Sequence, residues 1–292
     1  GMSREQDRQL AVELERQAAQ LDFPGLLREH WSRSGKPSEL VGRFVAGDLA
    51  SLGRSRDYLD QIERHRDVRM TAGERFLEAG CGSGGMSAAA AERGAQVVAT
   101  DVALRWLVLA RKRMRDGGLE NVTFVCCAAE SLPFPDSSFD LVAASDVVEH
   151  VQSAEEFTAA CARSLRPGGL LFLATPNRYS LGLEPHVRLW GVGFLPRRLA
   201  RGYVRLARGT PYDHVRLLSG RAIRGLLRRH DFSVSIEPPE VPRATQTLYH
   251  GAELALVRAY NRLRRFRIVR RALLAVGPFF QVFATKRPHN AR

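Results

Sequence analysis

The segment Phe76-Leu-Glu-Ala-Gly80-Cys-Gly82-Ser-Gly84-Gly85 constrains this chain more than any other stretch. It joins a short apolar run to a helical pattern through a turn rich in glycine. Glycine permits positive φ where the turn is sharp and lets the backbone come within contact distance of a ligand. From Arg75 onward, apolar runs alternate with helical segments. Strands are predicted at Phe76–Ala79, Gln96–Thr100, Val122–Cys126, Leu141–Ser145 and Leu170–Thr175. Between them lie helices at Met86–Arg93, Ala103–Arg115 and Ala154–Leu165, the last stopped by Arg166-Pro167-Gly168-Gly169. Such alternation gives an α/β fold with a parallel sheet and helices on both faces.

Upstream, residues 1–70 form an N-terminal helical segment, with Leu10, Leu14 and Leu21 at helical spacing and a second amphipathic stretch at Tyr58–Val68. Gly1 before Met2 is taken as a tag remnant. The core spans 71–176. Residues 177–219 interrupt the alternation as an insertion rich in Gly, Pro, Arg and aromatics. The pattern resumes over 220–292 with a helix at Gly220–His230, a strand at Phe232–Ile236, a long basic helix near 255–276 and a final strand at Phe279–Lys286.

A turn of this kind sits at the carboxyl edge of a parallel sheet, where open α/β folds bind ligands. Gly80, Gly82 and Gly85 also satisfy the dinucleotide pattern G-x-G-x-x-G, so the glycines do not choose a cofactor. Two carboxylates do. Glu78 would repel a pyrophosphate and attract an amino-acid ammonium group. Asp101, at the end of the second predicted strand, can accept both hydroxyls of a ribose.

Here the sequence resembles the class I S-adenosylmethionine-dependent methyltransferases. Glu78-Ala-Gly80-Cys-Gly82-Ser-Gly84 is similar to their first motif, acidic-x-G-x-G-x-G. The resemblance continues through Asp101, Leu132-Pro-Phe-Pro-Asp136, Phe139-Asp140-Leu-Val142 and Leu165-Arg-Pro-Gly-Gly169. The small-molecule enzymes of ubiquinone and menaquinone biosynthesis are the members it resembles most. It implies a Rossmann-like sheet of about seven strands with the last antiparallel, and S-adenosylmethionine as cofactor with S-adenosylhomocysteine as product.

By the resemblance, the backbone of Gly80, Cys81 and Gly82 approaches the methionine part of the cofactor. Glu78 anchors its amino group, and Asp101 and the neighbouring Val102 border the ribose. Adenine lies near Ala129 and Glu130, and Ser145 lies beside the methionine portion. Many relatives carry an acidic residue where Ala128 stands. Backbone near Ala129 or the Glu130 side chain would have to substitute, unless Glu130 simply caps a turn.

Methyl transfer from a sulfonium is an in-line displacement, which needs positioning and, for a protonated acceptor, a base. His150, in Ser145-Asp-Val-Val-Glu149-His150, is the first candidate base. A Glu-His pair stands here in the quinone O-methyltransferases this chain resembles; its bland role is to support the following helix. His186 and His214 lie in the insertion, which in the family helps form the acceptor pocket, and each has a neighbouring carboxylate. Either they serve the site or they pin the insertion down. Asn177 and Arg178 are expected on the pocket floor. Tyr179, Trp190 and Phe194 make either an apolar wall or the core of a compact cap.

Net charge is +13. Lys36, Lys112 and Lys286 are the only lysines, so the excess is arginine. It arises from compositional bias or from an anionic surface or partner. Tyr260, Leu263, Phe266, Val269, Leu273 and Val276 make an apolar stripe among arginines. That helix either packs on the domain or lies peripherally on an anionic membrane. No segment is long and apolar enough to span a bilayer. RNA is disfavoured, because no RNA-binding module or aromatic stacking cluster accompanies the charge. Cys81, Cys126, Cys127 and Cys161 lack metal-ligand spacing, so no metal site is expected, and reduced thiols suit a cytoplasmic protein.

The expected activity is methyl transfer to a small, hydrophobic or lipid-linked acceptor, at oxygen. The alternatives are a tRNA or other nucleic-acid methyltransferase and a cofactor-binding protein that has lost catalysis.

Overall fold

The computed structural model describes residues 3–34, 38–241, 246 and 250–288. Gly1 lies outside them. The chain divides into two compact units, Gly1–Ala143 and Ala144–Arg292.

The first unit opens with four helices: α1 (Arg4–Gln17), α2 (Phe23–Ser32), α3 (Ser38–Leu49) and α4 (Ser51–Arg66). Ser3 and Gln6 cap the start of α1 reciprocally, and Asp22 caps α2 through the Gly25 amide. Strand and helix then alternate through β1 (Arg75–Ala79), α5 (Gly85–Glu92), β2 (Gln96–Asp101), α6 (Leu104–Asp116), β3 (Val122–Cys126) and β4 (Phe139–Ser145). β1 lies between β2 and β4 and runs parallel to both, with Leu77 opposite Val98 and Val142. Leu14, Leu26 and Leu27 are fully buried with Leu109 of α6, each such side chain contributing about 1.5–3 kcal/mol of burial. Asp7 of α1 accepts the Leu104 amide at 2.8 Å and pairs with Arg105, which fixes α1 to the start of α6.

The second unit holds α7 (Ala154–Ser164), β5 (Leu165–Pro176), a single 3-10 turn at Val192–Phe194, α8 (Arg197–Arg208) and α9 (Gly220–Arg229). β6 (Phe232–Glu237), α10 (Gly251–Leu263), α11 (Arg267–Val276) and β7 (Phe279–Lys286) follow. The strand order is β3-β2-β1-β4-β5-β7-β6. β7 runs antiparallel to both β5 and β6, with Phe172 opposite Phe283 and Val234 opposite Ala284. The expected Rossmann-like sheet of seven strands with an antiparallel last strand is therefore the observed one.

Two local expectations are corrected. The helix stops at Arg166-Pro-Gly-Gly169 as expected, but β5 begins at Leu165 rather than Leu170 and takes in those four residues. Proline forces the residue before it into extended backbone, so α7 ends early and the chain leaves directly as strand. The insertion contains α8, which with Tyr212–Val215 gives it a core of Val192, Ala200, Val204, Tyr212 and Val215. The long basic helix expected near 255–276 is not one helix. Phe266 adopts extended backbone (φ −72°, ψ 135°) and divides α10 from α11. The arginines on either side of that break are drawn to the end of β6 and the chain after it. Arg264 donates to the Pro238 carbonyl at 3.1 Å and pairs with Glu240, while Arg270 donates to the Ile236 carbonyl at 2.8 Å and pairs with Glu237.

Candidate active site

In the first unit the turn after β1 is shaped by positive φ at Gly80 (78°), Gly82 (49°) and Gly84 (78°). Gly84 also lets α6 come close, because a Cβ there would stand 2.9 Å from the Ala110 Cβ. The amides of Gly80 and Cys81 both donate to the Thr100 carbonyl, which ties the turn to the end of β2. Asp101, at that end, accepts the Gly82 amide at 3.0 Å on one oxygen and the Ala103 amide at 2.9 Å on the other. Each carboxylate oxygen keeps a further lone pair for another donor. Burial raises the Asp101 pKa against the pull of those two amides. Val102 beside it is 68% exposed, and Ala129 and Glu130 sit half-buried in a turn after β3.

Glu78 is buried and accepts both the amide and the hydroxyl of Ser87 on α5. Burial pushes its pKa up to about 8, against those two hydrogen bonds and the charge of Arg113. A carboxyl in that condition is held near neutrality until a cation arrives to pair with it. Burial likewise raises the Cys81 thiol well above its ordinary value, which makes it an inert lining residue.

Composition and spacing did not point to the group behind the turn. Asp48 of α3 accepts the Trp31 indole at 2.7 Å and the Ser83 hydroxyl at 3.1 Å. The buried Arg113 of α6 donates to the Asp48 carbonyl at 2.6 Å, and burial lowers its pKa to about 10. These residues come from four separate segments, and an acidic residue in an amphipathic helix gives no sequence signal of such a role.

In the second unit, His150 meets both histidines of the insertion. Its Nε2 lies 3.1 Å from His186 Nε2, and its ring stacks at 6.3 Å on that of His214. His186 Nδ1 is held at 2.5 Å by Glu184, whose other oxygen accepts the Val187 amide at 2.8 Å. Burial alone would lower the His186 pKa, but the Glu184 hydrogen bond and the charges of Glu184, Glu149 and Asp146 outweigh it and raise it. His150 is shifted down, by burial and then by His186. The carboxylate beside His214 is engaged elsewhere, since Asp213 pairs with Arg201 at 2.7 Å.

Glu149 is fully buried. One of its oxygens accepts the Thr175 hydroxyl at 3.0 Å, and the other has no hydrogen-bond partner. Burial raises its pKa to about 7, and the charge of Asp146 adds to the shift. Donor atoms of Glu149, His150 and His186 all lie within 4.8 Å of one another, close enough to hold a divalent cation. The expectation of no metal site came from cysteine spacing, which has no view of ligands that folding gathers from residues 149, 150 and 186. Ser145 is half-buried, and its hydroxyl lies 3.5 Å from the Asp146 carboxylate.

The pocket-floor residues divide. Asn177 is buried and donates to the carbonyls of Ala275 and Gly277, so its side chain is structural. Arg178 donates to the Gly193 carbonyl and lines a cavity of about 200 Å³ with Leu195, Ala200, Tyr212 and Leu217. Tyr179, Trp190 and Phe194 are exposed and adjoin one another, so they are not the core of the insertion.

A family model described as a methyltransferase domain matches residues 77–173. These residues thus match a methyltransferase domain. Among curated proteins, it is 35% identical over 158 residues to a ubiquinone biosynthesis O-methyltransferase of Idiomarina loihiensis, covering 54% of this chain and 60% of that one. It is 41% identical over 158 residues to the protein of that name from Sinorhizobium fredii, covering 53% and 62%. The chain thus spans about 60% of the length of these relatives. Among solved structures, an S-adenosylmethionine dependent methyltransferase from Mesorhizobium loti superposes with a TM-score of 0.53 at 23% identity, over 77% of this chain and 96% of that one, a likeness of fold.

The methyltransferase domain so defined contains Glu78, the glycine turn, Asp101, Glu149 and His150. It ends before Glu184, His186 and His214, and before α8, α10 and α11. The domain match therefore covers the cofactor-type residues and half of the histidine cluster.

Proposed function

We propose that this protein transfers a methyl group from S-adenosylmethionine to an oxygen of a small, hydrophobic or lipid-linked acceptor. The observation that carries the reading is the pair of buried carboxylates flanking the glycine turn, inside a methyltransferase domain. Glu78, held near neutrality, would ionise against the cofactor's ammonium group. Asp101 would take the ribose hydroxyls on its remaining lone pairs, with Val102 against the nucleoside and Ala129 and Glu130 near adenine. Gly80, Cys81 and Gly82 would present backbone to the methionine portion, and Ser145 would border it. S-adenosylhomocysteine would leave as product.

His150 would accept the proton of the acceptor hydroxyl, steadied by His186 on Glu184 and by stacking on His214. The division into a helical segment over 1–70, a core over 71–176, an acceptor-pocket insertion over 177–219 and a remainder over 220–292 belongs to this reading. The cavity beside Arg178, whose apolar lining of Leu195, Ala200 and Leu217 is joined by Arg197 and Arg216, supports the acceptor role of the insertion. An O-methylated quinone precursor fits this acceptor class, given the names of the curated relatives.

A second reading of the histidine cluster rests on the unpartnered oxygen of Glu149. A divalent cation held by Glu149, His150 and His186 would lower the pKa of an acceptor hydroxyl. Chelation separates the two: transfer that persists after treatment with EDTA favours the base, and transfer restored only by added metal favours the cation.

The basic segment supports peripheral association with an anionic membrane from the cytoplasmic side. α10 and α11 leave Leu256, Phe266 and Ile268 exposed among arginines, and Ile268 is 82% exposed. No helix among the described residues is long and apolar enough to cross a membrane. Labelled S-adenosylmethionine incubated with lipid, quinone and RNA fractions tests the whole proposal. Label in the quinone or lipid fraction is expected; label confined to RNA, or to none, overturns it. Flotation with anionic vesicles at low salt tests the membrane part, and protein left at the bottom rejects it.

A further inference from the structure

A cleft of about 620 Å³ opens in the second unit, between the first turn of α9, the chain just after β5 and the end of α11. It is lined by Arg221 and Arg224 of α9, by Ser219 and Tyr179, and by the apolar Ile236 and Leu274. No acidic residue is among the described residues that line it. Arg221 and Arg224 have no hydrogen-bond or ion-pair partner among the described residues. They stand three apart on one helix and so face each other as like charges, an arrangement that an anion between them relieves. Ser219 accepts the Ala222 amide at 3.2 Å, which leaves its hydroxyl proton directed to another acceptor.

We propose that this cleft binds a phosphate ester whose other end is hydrocarbon. Two guanidinium groups, each with paired donors, match the oxygens of a phosphate better than a single carboxylate needs. Ile236 and Leu274 give the hydrocarbon a dry wall directly beside that charge. A bare anion would leave the wall unused, and an uncharged lipid would leave the arginines unpaired. The proposal does not depend on methyl transfer, because every residue it uses lies outside the cofactor-type turn and the histidine cluster.

The test is a calorimetric titration of the full chain, without S-adenosylmethionine, using octyl phosphate, inorganic phosphate and octanol. Octyl phosphate should bind saturably and at least about tenfold more tightly than either of the others. Arg221→Ala/Arg224→Ala should weaken it by about tenfold or more with the unliganded melting temperature unchanged, and Arg221→Lys/Arg224→Lys should restore only part of the binding, because an ammonium keeps the charge without the paired donors. Equal binding by the alanine double variant, or octanol or inorganic phosphate binding as tightly as octyl phosphate, overturns the proposal. Vesicles of phosphatidylglycerol identify the source of the ligand. Octyl phosphate that displaces the protein from them points to a membrane headgroup, and octyl phosphate that binds without displacing it points to a soluble prenyl or alkyl phosphate.

Discussion

The glycine turn of the first unit and the histidine cluster of the second solve different problems with different materials. The turn presents backbone: three left-handed glycines, amides already committed to Thr100 and Asp101, and two buried carboxylates, all from residues 78–101. The cluster presents side chains, drawn from residues 149–150, 184–186 and 214. Recognition by backbone needs the right φ values and little else, so it survives in one contiguous motif. Chemistry by side chains needs each partner to arrive from elsewhere, so its parts carry no shared local signature.

The comparison breaks most sharply at His150. His150→Ala should lower kcat by about 10²–10⁴ and leave S-adenosylmethionine affinity intact, since loss of a positioned base costs that much. Steady-state kinetics with calorimetry measure both, and an equal loss of cofactor binding would merge the two regions. Asp101→Ala should do the reverse, weakening cofactor affinity by about 10–100-fold through charge-assisted hydrogen bonds of about 1.5–3 kcal/mol each. Unchanged affinity would remove Asp101 from the ribose role. Gly84→Ala should cost about 1–3 kcal/mol of stability in a denaturant melt, because φ is positive and the new Cβ meets Ala110.

A pH dependence completes the comparison. With the Glu78 pKa raised to about 8 in the unliganded protein, the buried acid favours folding below its unfolded pKa, and that contribution is lost as pH rises through about 8. With Glu78 paired to the cofactor's ammonium group as proposed, binding would draw on the ionised form, so affinity should climb between pH 6 and 8 by up to about tenfold per unit. Glu78→Gln should flatten the profile, and an unflattened one would assign the dependence to another group.

Legibility in the sequence follows the same divide. Val122–Cys126 and Phe279–Lys286 were bounded correctly because apolar runs between turn residues are local facts. Glu78 could be singled out by its offset from the glycines, and Asp101 by its place at the end of a predicted strand. The three histidines could be suspected singly, but not that Glu184 would grip His186 or that Asp213 would turn away to Arg201. The network of Asp48, Ser83 and Arg113 was invisible, as was the break at Phe266, whose flanking arginines are set by carboxylates more than twenty residues away in sequence.

The position of β7 between β5 and β6 has a consequence for how the chain is made. During synthesis, β5 and β6 both emerge before residue 279, and each then presents an edge whose amides and carbonyls await a neighbour. Unpaired edges of this kind recruit other chains. A nascent chain whose residues through 237 have left the exit tunnel would therefore hold a strand-wide gap in its sheet until residues 279–286 leave it too.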